Sequence, residues 1–404
     1  MNCPLCKSAG KIILSRKDMI GSVHMSSTER RTLEMIYCPE CCFVWNKNAF
    51  EKPDEFNQWM NQAYQSYNLL NNNLHKFPLI DVRTVRAKQF IEKKISFDSI
   101  TTVLEIGSNR GDFLAYLNDS HPHIQVIGVE TTKLAMVGVP TIFNDVMDIN
   151  LSPSFDLIIL RQVFEHIADP FTFLQHLKSF LKKGGFIMIE VPDLENDLDD
   201  NIDPWVMEHV AFYSVKSLKY ISEITNLKIR AIDRENQLMF ILQDSDEDRT
   251  IDIDIKNNIN EHILLFEEKI NSTSAEWLKL INDGYHICFY GASNVFLTIS
   301  GVLANSWKDR WHSIDRYLCD DYDDKFGREI NGITVTKLNQ LNTENKYIFV
   351  ISAMYREHRK NMLINLKNQL KQNDIVYEMW DKIIDVESYL NNLINLTKIV
   401  KDHN

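Results

Sequence analysis

Residues 101–117, TTVLEIGSNRGDFLAYL, leave the chain few choices of fold. An apolar run closes on Glu105 and Ile106, a loop carries glycines at Gly107 and Gly111, and Phe113, Leu114 and Leu117 then recur at helical spacing. That is a strand, a tight turn and a helix start, the opening unit of a nucleotide-binding α/β sheet. The runs IQVIGV, FDLIIL and GFIMIEV supply further strands. PFTFLQHLKSFLKKGG reads as a helix with Leu174, Leu177 and Leu181 on one face, Lys182 and Lys183 at its C-terminal dipole and Gly184 as a left-handed cap. LKIRAIDRENQLMFIL reads as a hairpin, two apolar runs around a polar turn. The acidic QDSDEDRTIDIDIK is the natural linker, followed by a helical stretch over 257–282. YHICFYGAS, SIDRYLCDD, KYIFVIS and DIVYEMW then give a second α/β pattern. A chain of 404 residues has room for two or three cores. The expected division is 1–75, a cysteine-bearing module with a tyrosine-rich segment; 76–245, the first α/β domain; and 246–404, the second.

Charge narrows the partners. Lys and Arg number 44 against 56 Asp and Glu, a net charge of -12, and an acidic surface repels phosphate backbones, so nucleic acid is not expected. No apolar run approaches the roughly 18 to 20 residues of a membrane span, and the opening MNCPLCKSAG has no apolar signal-peptide core. The expectation is a cytoplasmic protein with no membrane partner, in which the seven cysteines are poor disulfide candidates.

The loop Gly107-Ser108-Asn109-Arg110-Gly111 lacks the middle glycine of a dinucleotide fingerprint, and Glu105 stands just before it. A carboxylate there repels a pyrophosphate but suits a ligand with an ammonium and a sulfonium. S-adenosylmethionine (SAM) is such a ligand and has no phosphate. About 20 residues on, Glu130 closes the next strand, where a carboxylate binds ribose hydroxyls.

Two C-x-x-C pairs, Cys3/Cys6 and Cys38/Cys41, can enclose a tetrahedral structural Zn²⁺ with no open position. Cys42 follows directly and competes with Cys41 as fourth ligand. Such a closed site folds a module and leaves catalysis elsewhere. Cys288 and Cys319 lie in apolar runs and read as core.

VLEIGSNRGDFL, GVETTKLAMVGVPT, FDLIILRQVFEHIADPFTFLQHLKSFLKKGGFIMIEVP and EHVAFYSVKSL together resemble successive motifs of class I SAM-dependent methyltransferases. The closest resemblance is to sugar C-methyltransferases of deoxysugar and antibiotic biosynthesis, with an N-terminal zinc module and a C-terminal Rossmann-like domain. It implies an α/β architecture: a seven-stranded Rossmann-like SAM methyltransferase domain, closed by an antiparallel strand, between the zinc module and a second α/β domain. It implies that Glu105, Gly107, Ser108, Asn109 and Gly111 hold the methionine end of SAM and Glu130 the ribose. Asp145, in competition with Asp148, would reach the adenine, and Arg161 and Gln162 would end the fourth strand beside the reacting methyl.

The resemblance also places residues 204–214, PWVMEHVAFYS, over the transfer site. Glu208, His209, Phe212 and Tyr213 fit its pattern, whereas Met207 and Val206 replace a histidine and a tyrosine. His209 would be the base that takes a proton alpha to a ketone, Glu208 an orienting group and His166 the holder of the developing oxyanion. Tyr64, Tyr67 and Tyr213 would meet a small-molecule substrate, a nucleotide-linked keto-deoxysugar. The C-terminal FYGASNVFLTIS has no complete nucleotide fingerprint, so that domain is expected to lie on the substrate side or to act as scaffold. Three rivals stay open: an O- or N-methyltransferase of a sugar or secondary metabolite, a zinc-ribbon ribosomal RNA methyltransferase, and a SAM-binding protein without turnover.

Overall fold

The structure, a computed structural model, describes residues 1–19, 31–60, 80–131, 138–152, 154–199, 205–245, 272–322, 325–353, 356–367, 369–371 and 374–378. Tyr64, Tyr67, most of the acidic linker and positions 257–271 lie outside the described residues. Among the described residues no helix is long and apolar enough to cross a membrane.

The first cysteine turn leads into β1 (Lys11–Met19) and β2 (Arg31–Tyr37), the second joins β2 to β3 (Val44–Asn46), and the three strands pair antiparallel. Val44, Trp45 and Asn46 are all fully buried, because β3 is an inner strand with a partner on either side. Its second partner comes from far along the chain, the two-residue strand Ala211–Phe212.

The central sheet starts at β4 (Thr102–Ile106) and continues with β5 (Gln125–Glu130), β6 (Thr141–Phe143), β7 (Phe155–Arg161) and β8 (Leu181–Val191), all parallel. After β9 (Ala211–Phe212), the hairpin of β10 (Lys228–Asp233) and β11 (Leu238–Gln243) pairs antiparallel with β8. The result is a seven-stranded sheet in the order β10-β11-β8-β7-β4-β5-β6. Leu157, Ile158, Ile159 and Leu160 of β7 are fully buried, as expected for a central parallel strand covered on both faces. Strand order reverses between β4 and β7, so the loops after these strands border the crevice in which open α/β sheets bind ligands.

The helix before β8 ends earlier than the sequence pattern predicts. It spans Pro170–Phe180, started by Pro at its first turn and by the Asp169 side chain accepting from the Thr172 N–H at 3.0 Å. Leu181 already pairs with Phe155, so sheet pairing takes over from the helix there. Lys182 consequently sits in β8 with its Nζ 2.9 Å from Asp156, and Gly184 (φ +80°) lies inside that strand. The apolar face itself stands: Phe173, Leu174, Leu177 and Phe180 are buried.

The third sheet contains β12 (Tyr285–Tyr290), β13 (Arg316–Cys319), β14 (Glu329–Ile330), β15 (Ile333–Thr336), β16 (Lys346–Ile351) and β17 (Ile375–Glu378), in the order β14-β15-β13-β12-β16-β17. Among the described strands of this sheet only β14 runs antiparallel to its neighbour. Gly291, after β12, has φ +113° and a Cβ there would lie 2.8 Å from the Ser352 carbonyl, so the turn needs glycine. The next amide, of Ala292, donates to the Asp320 carboxylate at 2.7 Å, and Lys325 bridges that carboxylate (3.1 Å) to the Ala292 carbonyl (2.9 Å). A loop amide placed where a nucleotide would bind is thus taken by the chain's own aspartate. Cys288 and Cys319 are buried neighbours with sulfurs 3.6 Å apart.

A candidate cofactor and acceptor site

The cofactor end is built at the tips of β4, β5 and β6. Gly107 (φ +67°) and Gly111 (φ +85°) take left-handed conformations, and so does Asn109 (φ +50°) between them. A Cβ on Gly107 would stand 2.4 Å from Val163 Cγ2, and one on Gly128 would stand 2.4 Å from Ser108 Oγ. The loop is therefore packed as tightly on its own sheet as glycine permits. The Asn109 N–H donates to Glu130 Oε2 at 2.8 Å, and Thr131 Oγ1 donates to Glu130 Oε1 at 3.3 Å. These bonds fix the Glu130 carboxylate beside the loop and leave acceptor capacity for a diol.

Glu105 is 3% exposed, and its Oε2 has no hydrogen-bond partner. Burial pushes its carboxyl up to about 8, against the pull of the Arg161 guanidinium. A buried, unpaired carboxylate at the end of β4 is a ready counter-charge for a ligand's ammonium. Arg161 meets Glu190 at 3.1 Å and lies over the Phe113 ring at 4.9 Å, so it is tied into the protein. Arg83 meets the other Glu190 oxygen at 3.1 Å. Gln162 (φ +55°) donates its N–H to the Glu190 carbonyl at 2.9 Å. Oriented to satisfy both ends, its side-chain amide accepts from Arg83 at 3.3 Å and donates to Glu165 Oε1 at 3.2 Å. Asp145 is exposed and accepts from the Met147 N–H at 2.9 Å, capping the turn Val146–Asp148; Asp148 is exposed in that same turn. Beside them stand exposed Phe143 and Met147, with Phe143 paired directly to Glu130 across β5 and β6. These two apolar groups, which sequence patterning does not single out, are suited to the face of a planar base. The residues fit SAM on three counts: an orphaned buried carboxylate, glycines that bring backbone close, and a carboxylate held at the second strand.

The acceptor end gathers the turn Phe164–His166 and the loop 205–210. The His209 and His166 rings meet edge-on with centroids 5.1 Å apart. Backbone bonds hold His209 from both sides. The Glu208 carbonyl accepts from His166 Nδ1 at 2.7 Å, the Val210 N–H donates to the Glu165 carbonyl at 2.9 Å, and the Val210 carbonyl accepts from the Asn46 N–H at 2.8 Å. Because a carbonyl can only accept, His166 carries its proton on Nδ1, and burial keeps the ring neutral. Its Nε2 is then a lone pair and not a donor, which argues against His166 as an oxyanion holder. Burial, reinforced by His166, holds His209 neutral as well, and its Nδ1 is sealed from solvent without a partner. Glu208 is buried beside it. Tyr213 must be moved from the substrate contacts to the core: it is fully buried, stacked on Phe164 at 4.8 Å, with its hydroxyl donating to the Phe164 carbonyl at 3.4 Å.

Sequence reasoning passed over Glu165. It is 1% exposed, its Oε2 has no partner, and burial pushes its carboxyl up to about 8. The available signal was a glutamate directly beside a histidine at the end of an apolar strand. Such a position on a turn ordinarily faces water.

The cysteine turns are near copies of each other. The Lys7 N–H donates to the Cys3 carbonyl at 3.0 Å and the Cys42 N–H to the Cys38 carbonyl at 2.8 Å; Lys7 (φ +66°) and Cys42 (φ +55°) are both left-handed. Cys42 therefore occupies the place of Lys7, and its sulfur turns away to the Tyr37 hydroxyl at 3.4 Å. The sulfurs of Cys3, Cys6, Cys38 and Cys41 all lie within 4.8 Å of one another, with Cys3–Cys41 at 3.5 Å and Cys6–Cys38 at 3.3 Å. Four thiolates about 2.3 Å from a tetrahedral Zn²⁺ would stand about 3.8 Å apart, so the set fits the ion with small adjustments.

Residues 73–232 match a family described as a methyltransferase domain. Among curated proteins, the C-methyltransferase NovU of Streptomyces niveus is 26% identical over 209 residues, covering 49% of this chain and 47% of that protein. The trans-aconitate 2-methyltransferase of Enterobacter sp. (strain 638) is 28% identical over 107 residues, 25% of this chain and 42% of that one. The chain thus spans less than half the length of each of these curated relatives. Similar solved structures include the 1,6-didemethyltoxoflavin-N1-methyltransferase of Burkholderia thailandensis (12% identity, TM-score 0.37, covering 54% of this chain and 96% of that one). Another is the plantazolicin methyltransferase BpumL (14%, TM-score 0.33, 49% and 97%). Residues 73–232 are therefore a methyltransferase domain, with Glu105, the glycine loop and Glu130 at the tips of its adjoining strands.

Proposed function

We propose that this chain methylates a small polar metabolite with SAM as donor, and that the acceptor is a nucleotide-linked keto-deoxysugar methylated on carbon. The observation that carries the reading is the presence of two sealed polar atoms without partners at one end of the sheet: Glu105 Oε2 and Nδ1 of the neutral His209 ring. The similarity to the C-methyltransferase NovU supports carbon as the acceptor atom. When bound, SAM supplies an electrophilic sulfonium methyl. Glu105 would pair with its ammonium, the Gly107–Gly111 loop would shape the methionine pocket, Glu130 would accept from the ribose hydroxyls, and Phe143 and Met147 would cover the adenine.

Carbon is a poor nucleophile until a proton leaves it. His209, held neutral at the mouth of the acceptor end, would take the proton alpha to the ketone and leave an enolate facing the methyl. Glu165 and Gln162 would supply the polar side of the same acceptor end. A structural Zn²⁺ held by Cys3, Cys6, Cys38 and Cys41 would stiffen the module whose β3 pairs with the strand just after His209.

Solvent exchange tests the base. The native protein, loaded with a SAM analogue that cannot donate, should wash deuterium into the carbon beside the ketone of a keto-sugar nucleotide. His209→Ala should bind SAM normally and lose the exchange. Methyl transfer without exchange in the native protein would move the acceptor atom to oxygen or nitrogen. Exchange that survives in the variant would remove His209 as base.

A further inference from the structure

We infer that Glu165, His166 and His209 form a second metal site, a divalent-cation centre at the acceptor end that binds an oxygen of the substrate. One ligand atom from each of the three lies within 4.8 Å of the others. Two of those side chains carry sealed polar atoms with no partner, Glu165 Oε2 and His209 Nδ1, and Glu165 is 1% exposed. A carboxylate oxygen and a ring nitrogen left unsatisfied within one cluster of three metal-ligating side chains describe a gap that a cation closes. The third member is prepared in the way metal-bound histidines usually are. His166 Nδ1 donates to the Glu208 carbonyl at 2.7 Å, which fixes the ring and leaves Nε2 as a lone pair. Gln162, 3.2 Å from Glu165 Oε1, holds the carboxylate in the same manner.

Two imidazoles and one carboxylate are a donor set for Mn²⁺, Fe²⁺, Co²⁺ or Zn²⁺, and three protein ligands leave positions open for the acceptor. The substrate class is then narrowed to acceptors that present a keto, hydroxyl or carboxylate oxygen next to the methylated atom, since that oxygen can enter an open position. The Cys3, Cys6, Cys38 and Cys41 set differs in kind: it is soft, closed and separate. The inference rests on the methyltransferase reading of this site: the base role of His209 belongs to the ion-free protein, and with the ion bound His209 is a ligand through one ring nitrogen while the other carries its proton. In the ion-loaded protein the cation would acidify the acceptor by polarising its oxygen, and the released proton would pass to the Glu208 carboxylate beside His209.

Mn²⁺ is the probe, because thiolates disfavour it and the cysteine site should stay with Zn²⁺. The full chain, without SAM or acceptor, is titrated with Mn²⁺ and the free ion is followed by electron paramagnetic resonance. About one Mn²⁺ per chain should bind, displaced by excess Co²⁺. Glu165→Gln, which keeps the shape of the side chain, and His166→Ala should each weaken it about tenfold or more. Circular dichroism and SAM calorimetry on the same variants report the fold and the cofactor site. Native protein that binds no Mn²⁺, or variants that fold and bind it equally well, would overturn the second metal site. Mn²⁺ binding in a protein that binds no SAM would instead overturn the methyltransferase reading and leave the site standing.

Discussion

Glu105 is where one residue's environment sets a property of the whole protein. Its carboxyl is pushed to about 8 by burial, against an ordinary value near 4.5. Between those values the folded chain holds a proton that the unfolded chain has lost, so this residue's contribution to stability falls as pH rises from about 4.5 to 8. Glu165 acts in the same direction. Thermal melts of the cofactor-free protein should therefore show a midpoint that declines over this range, and Glu105→Gln should flatten the decline. Because a ligand's ammonium favours the ionised carboxylate, the stabilisation by added SAM should grow over the same range. A variant with an unchanged pH slope would show that Glu105 ionises freely. Glu130 sets the second expectation at this scale. Glu130→Ala removes a charged acceptor worth about 1.5–3 kcal/mol, so SAM should bind about ten- to a hundredfold more weakly by calorimetry, with the fold kept. Unchanged affinity would mean that Glu130 faces away from the ribose. Both carboxylates were legible because charged residues at strand ends beside a glycine loop stand out. Glu165 and Tyr213 were not: which way a turn glutamate or a loop tyrosine points is decided by packing among Phe43, Phe164 and the 205–210 loop, far apart in sequence.

Among the elements, the cysteine turns and β3 act as a clamp on the His209 loop. β3 pairs with Ala211–Phe212, Asn46 binds the Val210 carbonyl, and the Tyr220 hydroxyl donates to Glu40 at 2.8 Å. The spacing of the cysteines pointed to a zinc module, but the choice between Cys41 and Cys42 needed backbone geometry. The left-handed conformation of Cys42 copies that of Lys7 and turns its sulfur aside. Cys41→Ser should thus lose the zinc, measured by elemental analysis, and lower the melting midpoint and methyl transfer together, through release of the clamp. Cys42→Ser should keep about one zinc per chain. The reverse pattern would make Cys42 the ligand. The misread end of the helix Pro170–Phe180 has a similar origin. Lysines and a glycine after an apolar face are good stop signals, yet the pairing of Leu181 with Phe155 ends the helix sooner than they do.

For the whole molecule, alternating strands and helices foretold two α/β sheets, and the hairpin of β10 and β11 foretold the antiparallel closure of the first. Apolar runs bounded by glycine and charge reveal strands directly. The joining of the N-terminal module to the central sheet's core through β9 was hidden, because a two-residue strand leaves no periodicity to read. In the second α/β sheet the Asp320 carboxylate already fills the loop after β12. The central claim concerns the first sheet: that its crevice delivers the methyl of SAM to a small molecule. It is tested most directly by incubating the full chain with methyl-labelled SAM and a panel of keto-sugar nucleotides, with ribosomal RNA as a parallel acceptor, and following the label by mass spectrometry. The account predicts label on the sugar nucleotide and none on RNA. Label on RNA, or failure of the protein to bind SAM at all, would contradict it.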